Sequence, residues 1–302
     1  MSAFQPRRNT TIDTFLMKPK IDFAFKEIMT DEKARIGFLS AVLGLKPEEI
    51  KETHILNSYL RKMHEDDKLG ILDVRILMND DTEIDTEIQL SKMLVWADRA
   101  LFYAAKMYTD QIEQGQKYSV LKKCVSISIL DFVLFESKPA LHSCFHIRED
   151  THNFIYTDKM EFHVIELPKL PSELKQDCGA LELWAKFINS EQKEDFDMLA
   201  EKNVYIESAY KKLQVISQDK EKRMEYEARE KAVRDYNQTI YEAEQRGEAR
   251  GEARGEVRGE ARGEHKKAIE IARNMLADSL PPDTVSKLTG LSSDEVKALS
   301  RK

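Results

Sequence analysis

The chain has 302 residues, of which 41% are hydrophobic and 33% are charged, and its formal net charge at pH 7 is −7. A net negative charge argues against a protein that coats nucleic acid by bulk electrostatic attraction. The absence of any run of about 18 apolar residues excludes a transmembrane helix, and the first residues lack the apolar segment of a signal peptide.

Two helices are predicted first along the chain. Apolar residues recur at helical spacing in IDFAFKEIMTDEKARIGFLSAVLGL, which predicts helices over about 21–29 and 31–44, with Gly44 ending the second helix. A first short strand is expected in HILNSYL. These elements precede the most acidic part of the predicted sheet.

The segment LDVRILMNDDTEIDTEIQL, residues 72–90, alternates apolar and polar side chains on both sides of a turn and predicts a β-hairpin. A three-residue loop, NDD, keeps the apolar residues of both strands on one face, because a one-residue slip would move every side chain to the other face. This register places Arg75 opposite Asp85, which is favourable, and Asp73 opposite Glu87, which is unfavourable.

Two explanations of this acidic strand face are open at this point. The face is either solvated, as we expect for Glu83, or it holds a divalent cation. A cation would reverse the repulsion between Asp73 and Glu87, since carboxylate oxygens are the ligands that Mg²⁺ takes, usually one or two per ion with water completing the octahedron.

Strands and helices continue to alternate after the hairpin. We predict a helix over about 92–114, a strand buried on both faces in CVSISILDFVLF, and further strands in LHSCFHIRED and MEFHVIELPKLP. A helical region begins at ALELWAKFINS and runs with few breaks to about residue 245. Interleaved strands and helices indicate an α/β or α+β core.

One of these strands carries a second set of potential metal ligands. His142, Cys144 and His146 alternate onto one strand face, but the sequence offers no fourth ligand at a zinc-like spacing nearby. The cysteines are scattered and odd in number, which favours free thiols in a reducing cytoplasm over a disulfide framework. They are Cys124, Cys144 and Cys178.

The composition changes after residue 200, where the chain becomes highly charged with a thin apolar stripe. GEARGEARGEVRGEARGE, residues 247–264, then repeats every four residues. Each glycine costs a helix about 1 kcal/mol relative to alanine, yet the Glu and Arg stripes lie on nearly opposite sides and the Gly and Ala positions leave a surface with little bulk. A self-associating helix and a flexible linker are both open.

The last segment carries well-defined helix signals. PPDTVSKLTG predicts a short helix with proline at its start and Gly290 at its end. Ser292 and Glu295 form a capping box for a final helix. This helix-turn-helix outline serves either DNA contact or packing and oligomerisation.

These motifs resemble the PD-(D/E)XK nuclease superfamily, whose core is similar to Asp73, a hairpin, and then Glu87-Ile88-Gln89. The order of IDFAFKEIM, TEIQLS, RALFYAAKMYTDQIEQGQKYSVLKKCVSISIL, FHVIELPKL and the Gly-Glu repeat resembles one branch. That branch is the recombination-promoting nuclease family of bacteria, often labelled PD-(D/E)XK nuclease family transposases. The resemblance covers residues 18–302.

The resemblance implies an α/β (α+β) fold with a restriction-endonuclease-like core, in which helices flank a mixed sheet, and a C-terminal all-helical extension. We expect four segments in chain order. They are a polar arm at 1–17, the nuclease-like domain at 18–200, the charged helical segment with the repeat at 201–264, and a helix-turn-helix-like module at 265–302.

The resemblance also implies roles for individual residues. Asp73 and Glu87 match the metal-binding carboxylates, and Asp22 matches an acidic residue of the first helix that completes the metal shell. Gln89 stands where the superfamily pattern has lysine, so it orients water or phosphate by hydrogen bonds without supplying charge. The expected nucleic-acid-binding residues are Lys26, Arg99 and Tyr103.

The implied chemistry is phosphodiester hydrolysis assisted by Mg²⁺ or Mn²⁺, with Asp73, Glu87 and Gln89 as the catalytic residues. We expect an endodeoxyribonuclease acting on DNA in recombination, mobile elements or defence, without membrane association and with homo-oligomerisation through the C-terminal helices. The alternative is a non-catalytic interaction protein that keeps the nuclease fold and assembles through its helical tail.

Overall fold

The structure, a computed structural model, describes residues 15–58, 72–79, 81–93 and 95–300. The strands within these ranges are β1 Thr53–Leu56, β2 Val74–Met78, β3 Glu83–Gln89, β4 Cys124–Leu130, β5 His142–Arg148 and β6 Ile155–Glu166. The helices are α1 Asp22–Met29, α2 Glu32–Leu43, α3 Trp96–Thr109, α4 Ala180–Asn189, α5 Lys193–Lys202, α6 Val204–Gln218, α7 Lys220–Ala277, α8 Pro282–Thr289 and α9 Ser293–Ser300. Contacts divide the chain into two compact units, up to Arg234 and from Asp235.

The strands form one mixed sheet in the order β1-β2-β3-β4-β6-β5. The three central strands β3, β4 and β6 are parallel, while β1, β2 and β5 pair antiparallel with their neighbours. Every residue of β4 is buried, as predicted for a strand covered on both faces. The predicted α/β class, a mixed sheet flanked by helices, is confirmed.

The hairpin of β2 and β3 has the predicted register. Arg75 pairs with Asp85 and Leu77 with Glu83, and the backbone nitrogen of Met78 donates to the carbonyl of Thr82 at 2.9 Å, which leaves a three-residue loop. Asp81 closes this loop with a φ of 62°, a left-handed conformation that aspartate adopts more readily than most residues. The parity of the apolar faces therefore fixed the pairing correctly.

The main hydrophobic core lies between one sheet face and helices α1, α2, α4, α5 and α6. It contains the sheet residues Ile76, Ile84, Ile127 and Ile165, and aromatic side chains of the helices such as Phe25, Phe38 and Trp184. Gly44 ends α2 with a φ of 67°, as predicted.

Helix α3 covers the opposite sheet face. Its Tyr103 and Met107 pack against Cys124, and its Trp96 packs against Leu130. Because successive strand residues point to opposite faces, α3 lies over the side on which the hairpin carries its polar residues. Of the two explanations left open by the sequence, the solvated face is therefore excluded.

The first compact unit extends beyond the predicted limits of 18 and 200. Met17 is fully buried and its backbone nitrogen donates to the Oγ of Ser217 at 3.0 Å. Helix α6 supplies Leu213 to the main core, and Tyr226 of α7 is 1% exposed. These contacts draw Met17 and helix α6 into the core; residues 1–14 of the predicted arm lie outside the described residues.

The four-residue repeat, residues 247–264, lies entirely within α7, so the flexible-linker alternative is wrong. Three of every four positions carry Ala, Glu or Arg, with valine at one of them. Ala, Glu and Arg are among the best helix formers, and they offset the glycines. Self-association through this helix stays a prediction.

The second unit ends in a small helical cluster. Ala272, Val285, Leu291 and Val296 are buried together at the contact of the last turns of α7 with α8 and α9. The predicted capping box is present, since the Ser292 backbone nitrogen donates to Glu295 Oε2 at 2.9 Å and the Glu295 nitrogen donates to Ser292 Oγ at 3.3 Å.

Two expectations about the whole chain can be compared with the structure. The cysteines Cys124, Cys144 and Cys178 are free thiols, as predicted. Among the helices that the structure describes, none is both long and apolar enough to cross a membrane.

We predict that Gly37→Ala destabilises the first unit by about 1–3 kcal/mol, because an added Cβ would lie 2.1 Å from the Cβ of Tyr205. Urea unfolding followed by the fluorescence of buried Trp96 and Trp184 measures this. Gly255→Ala is the matched control, since its Cβ meets nothing within 4 Å. Equal stability of Gly37→Ala and wild type would contradict the close packing of α2 on α6.

Candidate functional site

Two acidic side chains of β3 are buried beneath α3. Asp85 is 2% exposed and Glu87 is 4% exposed, and they point to the same face because they are two residues apart. Their register partners on parallel β4 are Ser126 and Ser128, which are also buried. The candidate site therefore begins as a buried polar strip near the carboxyl end of β3.

Asp73 lies directly before β2 and is joined to β3 by its side chain. Its Oδ2 accepts a hydrogen bond of 3.1 Å from the backbone nitrogen of Ile88. The backbone ladder ends one residue earlier, at the pair Val74 and Thr86. The structure therefore brings Asp73 beside Glu87, as the predicted register required.

Arg75 lies opposite Asp85 in the strand register but forms no ion pair with it, which corrects the favourable pairing expected from the sequence. Its Nε and Nη2 donate to Oε2 of Glu83 at 3.0 and 2.6 Å, so Glu83 is not solvated but ion-paired. A long side chain can reach a diagonal neighbour across a strand pair as well as the residue directly opposite. As a result, Oδ1 of Asp85 is buried without a hydrogen-bond partner among the described residues.

Burial and mutual repulsion change the ionisation of this acidic group. Burial, with added repulsion from Glu87 and Asp73, raises the pKa of Asp85 well above its usual range. Burial and the charge of Asp73 raise the pKa of Glu87 to about 7, although Arg99 opposes the shift. Burial also raises the pKa of Asp73 to about 6. The site is short of positive charge.

Arg99 of α3 supplies one cation to the site. Its Nε and Nη2 approach the two carboxylate oxygens of Glu87 at 3.4 Å each. The guanidinium also lies 4.8 Å from the ring centroid of Tyr103, one helical turn later. The predicted pair Arg99 and Tyr103 therefore does face the acidic residues, and the buried ring of Tyr103 supports the guanidinium.

Asp22 and Lys26 approach the site from α1. Both line a cleft of about 550 Å³ with Asp73 and Arg229. Asp22 accepts from Nε of Arg229 at 2.6 Å, and its charge contributes to the raised pKa of Asp73. Lys26 is exposed, and no ion pair of the described residues includes it.

Arg229 was missed by the sequence analysis. It stands in a charged segment of α7 where many arginines and glutamates look alike, 207 residues from its partner Asp22. No local motif distinguishes it, because only the packing of the start of α7, within the first unit, brings the two together.

Gln89 continues the strip beyond Glu87 at the end of β3. The side chain is half-buried, and its Nε2 donates to the carbonyl of Ser91 at 3.1 Å. This bond fixes the amide at the edge of the site. A neutral amide at this position can donate or accept a hydrogen bond but cannot take a proton from water at neutral pH.

The donor set fits a hard divalent cation such as Mg²⁺, since its ligands would all be oxygen atoms and one buried carboxylate oxygen has no partner. Asp73, Asp85 and Glu87 do not form a group of three whose ligand atoms all lie within 4.8 Å of one another, among the described residues. Mg²⁺ usually takes one or two carboxylates in a protein site, so a pair of these side chains is enough to hold one ion.

Comparison with known families gives two matches. Residues 19–243 match the family described as PD-(D/E)XK nuclease family transposase. Residues 265–301 match the C-terminal HTH domain of the Rpn/YhgA-like nuclease family. No significant match was found among curated proteins or among solved structures. The first match covers the whole acidic site together with Arg99 and Arg229.

We predict that Glu87→Gln stabilises the cation-free protein at pH 8 by roughly 2 kcal/mol and changes little near pH 4.5. The folded-state pKa of Glu87 is about 7 against a usual value of 4.5. The folded state therefore binds the proton more tightly, and its stability falls as pH rises from about 4.5 through 7. Urea unfolding with a chelator, followed by tryptophan fluorescence, measures the difference.

The control for this prediction is Glu207→Gln, which changes a solvent-exposed carboxylate of α6 paired with Lys211 and should show no gain at pH 8. If Glu87→Gln were equally stable or less stable than wild type at pH 8, repulsion among the buried carboxylates would be excluded.

Proposed function

Since the chain belongs to the PD-(D/E)XK nuclease family transposases, we propose that it is a Mg²⁺-dependent endonuclease that hydrolyses phosphodiester bonds of DNA. The observation that carries the proposal is the buried group of Asp73, Asp85 and Glu87, whose carboxyl groups repel one another under α3. Such an arrangement costs stability without a cation, and perturbed carboxyl groups of this kind cluster at functional sites.

Asp73 and Glu87 are the residues that would hold the cation, with Mn²⁺ as a substitute for Mg²⁺. The cation would neutralise charge on the phosphate and lower the pKa of a water molecule. Asp73 is already oriented by the backbone nitrogen of Ile88. Asp85 supports the pair as a third buried carboxyl group, and Asp22 approaches it from α1.

The positive groups around the site fit a phosphate backbone. Lys26 is exposed in the cleft beside Asp73, where it can meet a phosphate oxygen. Arg99 keeps its guanidinium near Glu87 and stacked over Tyr103, and a planar guanidinium suits phosphate oxygens. Gln89 orients water or phosphate through hydrogen bonds. Deprotonation of the attacking water therefore depends on the cation and the carboxylates.

The helical cluster of the second unit supports DNA as the substrate. The match to an HTH domain suggests DNA binding, and exposed lysines are present on its helices, Lys287 on α8 and Lys297 on α9. We further propose a cytoplasmic setting in DNA recombination, mobile elements or defence, and homo-oligomerisation through the repeat of α7. Two such helices can approach closely, because the glycines have no side chain.

We predict that the purified protein nicks supercoiled plasmid in the presence of Mg²⁺ or Mn²⁺, and that Asp73→Asn and Glu87→Gln each lower the rate more than about 100-fold. The reason is that each variant removes a ligand of the cation. Agarose gel electrophoresis of the plasmid over time measures the rate. Glu207→Gln, which changes an exposed carboxylate of α6, is the control.

An inert wild type with every divalent ion would overturn the proposed endonuclease. If Asp73→Asn cleaves the plasmid as fast as the wild type does, the active site lies elsewhere.

We predict that Lys287→Gln and Lys297→Gln each weaken DNA binding and reduce the slope of log affinity against log salt concentration by about 1. A variant that lacks one lysine–phosphate contact releases about one counterion fewer when it binds DNA. Fluorescence anisotropy with a labelled duplex at several salt concentrations measures the slope. Lys202→Gln, at an exposed position of α5, is the control. Unchanged slopes in both variants would indicate that this cluster serves packing or oligomerisation.

A further inference from the structure

A second cluster of ligand-type side chains lies on the two last strands of the sheet. His142, Cys144 and His146 alternate along edge strand β5, as the sequence showed. The antiparallel register places His146 opposite Glu161 and Cys144 opposite His163 of β6. The ligands that the sequence did not supply nearby therefore come from the neighbouring strand, about twenty residues later in the chain.

Cys144, His146 and Glu161 form a compact group. Each offers one ligand atom, and these atoms all lie within 4.8 Å of one another. The two ring nitrogens of His146 face the two other residues: Nδ1 is 3.8 Å from Sγ of Cys144, and Nε2 is 3.2 Å from Oε2 of Glu161. With zinc-ligand bonds of 2.0–2.3 Å, the ligand atoms of a tetrahedral site are roughly 3.5 Å apart.

The remaining histidines of the cluster hold the carboxylate in place. His163 is 3% exposed, and its Nε2 donates to Oε1 of Glu161 at 2.5 Å. The other ring nitrogen of His163 is 2.8 Å from Nε2 of His142, with the two rings stacked. Ligating groups of metal sites are oriented by hydrogen bonds of this kind.

The cluster is separate from the acidic site. Its ligands line a cleft of about 610 Å³ together with residues at the end of α2. His163 pairs with Ile127, whose side chain lies in the main core, whereas Asp85 and Glu87 pair with Ser126 and Ser128 of the other face. The two groups of ligands therefore occupy opposite faces of the sheet.

We propose that Cys144, His146 and Glu161 bind a zinc-type transition-metal ion. Thiolate and imidazole favour Zn²⁺ over Mg²⁺, which prefers oxygen ligands alone. Three protein ligands leave the fourth position of the tetrahedron to water or to another ligand. The bound ion joins edge strand β5 to β6 and fixes the free edge of the sheet.

The competing explanation is a polar network without metal. Lys123 approaches Oε2 of Glu161 at 2.5 Å, so the carboxylate already has a cationic partner. The ion pair of Lys123 and Glu161 does not account for Cys144, whose Sγ lies 3.8 Å from a ring nitrogen of His146 and 3.8 Å from one of His163. A metal ion explains the thiol and displaces the ammonium group, since both compete for one oxygen.

Zinc titration of the 302-residue chain against a chromophoric chelator, with Mg²⁺ in excess, tests the proposal. We expect about one zinc ion per chain for wild type and for Cys178→Ser, the thiol control. Cys144→Ser and His146→Gln should each weaken zinc binding more than about 100-fold, and His163→Asn, which removes an orienting bond, about 10- to 100-fold. Glu87→Gln should leave zinc binding unchanged.

Cobalt loading gives a readout that does not depend on affinity. The wild type should show the sulfur-to-cobalt charge-transfer absorption and tetrahedral d–d bands, and Cys144→Ser should lose the former while its circular dichroism stays that of the wild type. Three outcomes would each overturn the proposal. The wild type binds no stoichiometric zinc, Cys144→Ser and His146→Gln leave zinc binding unaffected, or the cobalt spectrum lacks the thiolate band. Plasmid nicking is not used, so this test and that of the nuclease activity are independent.

Discussion

The main physical constraint on the candidate site is the burial of like-charged carboxyl groups near the carboxyl end of β3. Asp85 and Glu87 point away from the main core but are covered by α3, and Asp73 is joined to them through the nitrogen of Ile88. Removing charges from water is costly unless they are paired or bind a metal ion. Arg99 offsets only part of this cost, which is why the pKa of Glu87 remains raised to about 7.

The elements around these carboxyl groups determine which of them meet, how deeply they are buried and which charged side chains lie beside them. The hairpin register fixes which carboxyl groups meet, α3 excludes water and carries Arg99, and α1 brings Asp22 and Lys26 to the cleft beside Asp73. Arg229 of α7 then pairs with Asp22. The chain belongs to the PD-(D/E)XK nuclease family transposases, and a group of carboxyl groups with too little positive charge nearby is suited to bind a cation.

The two faces of the sheet offer different ligand chemistry. The face under α3 presents oxygen ligands, while the opposite face, at the edge formed by β5, presents a thiol and imidazoles beside a carboxylate. Hard and borderline cations prefer these different donors. Alternation along each strand therefore places the oxygen ligands and the thiol and imidazole ligands on opposite faces of one sheet.

The sequence by itself determined the α/β class, the bounds of most elements to within a few residues and the register of the hairpin, because these follow from local periodicity and the parity of apolar faces. It also identified Asp73, Glu87 and Arg99, which the structure brings together. Only the tertiary structure decided that α3 covers the acidic face and that Arg75 pairs with Glu83, so that Oδ1 of Asp85 has no hydrogen-bond partner among the described residues. Asp22 pairs with Arg229, and His146 contacts Glu161. The two residues of each pair are separated in sequence, and no local pattern encodes the packing that brings them together.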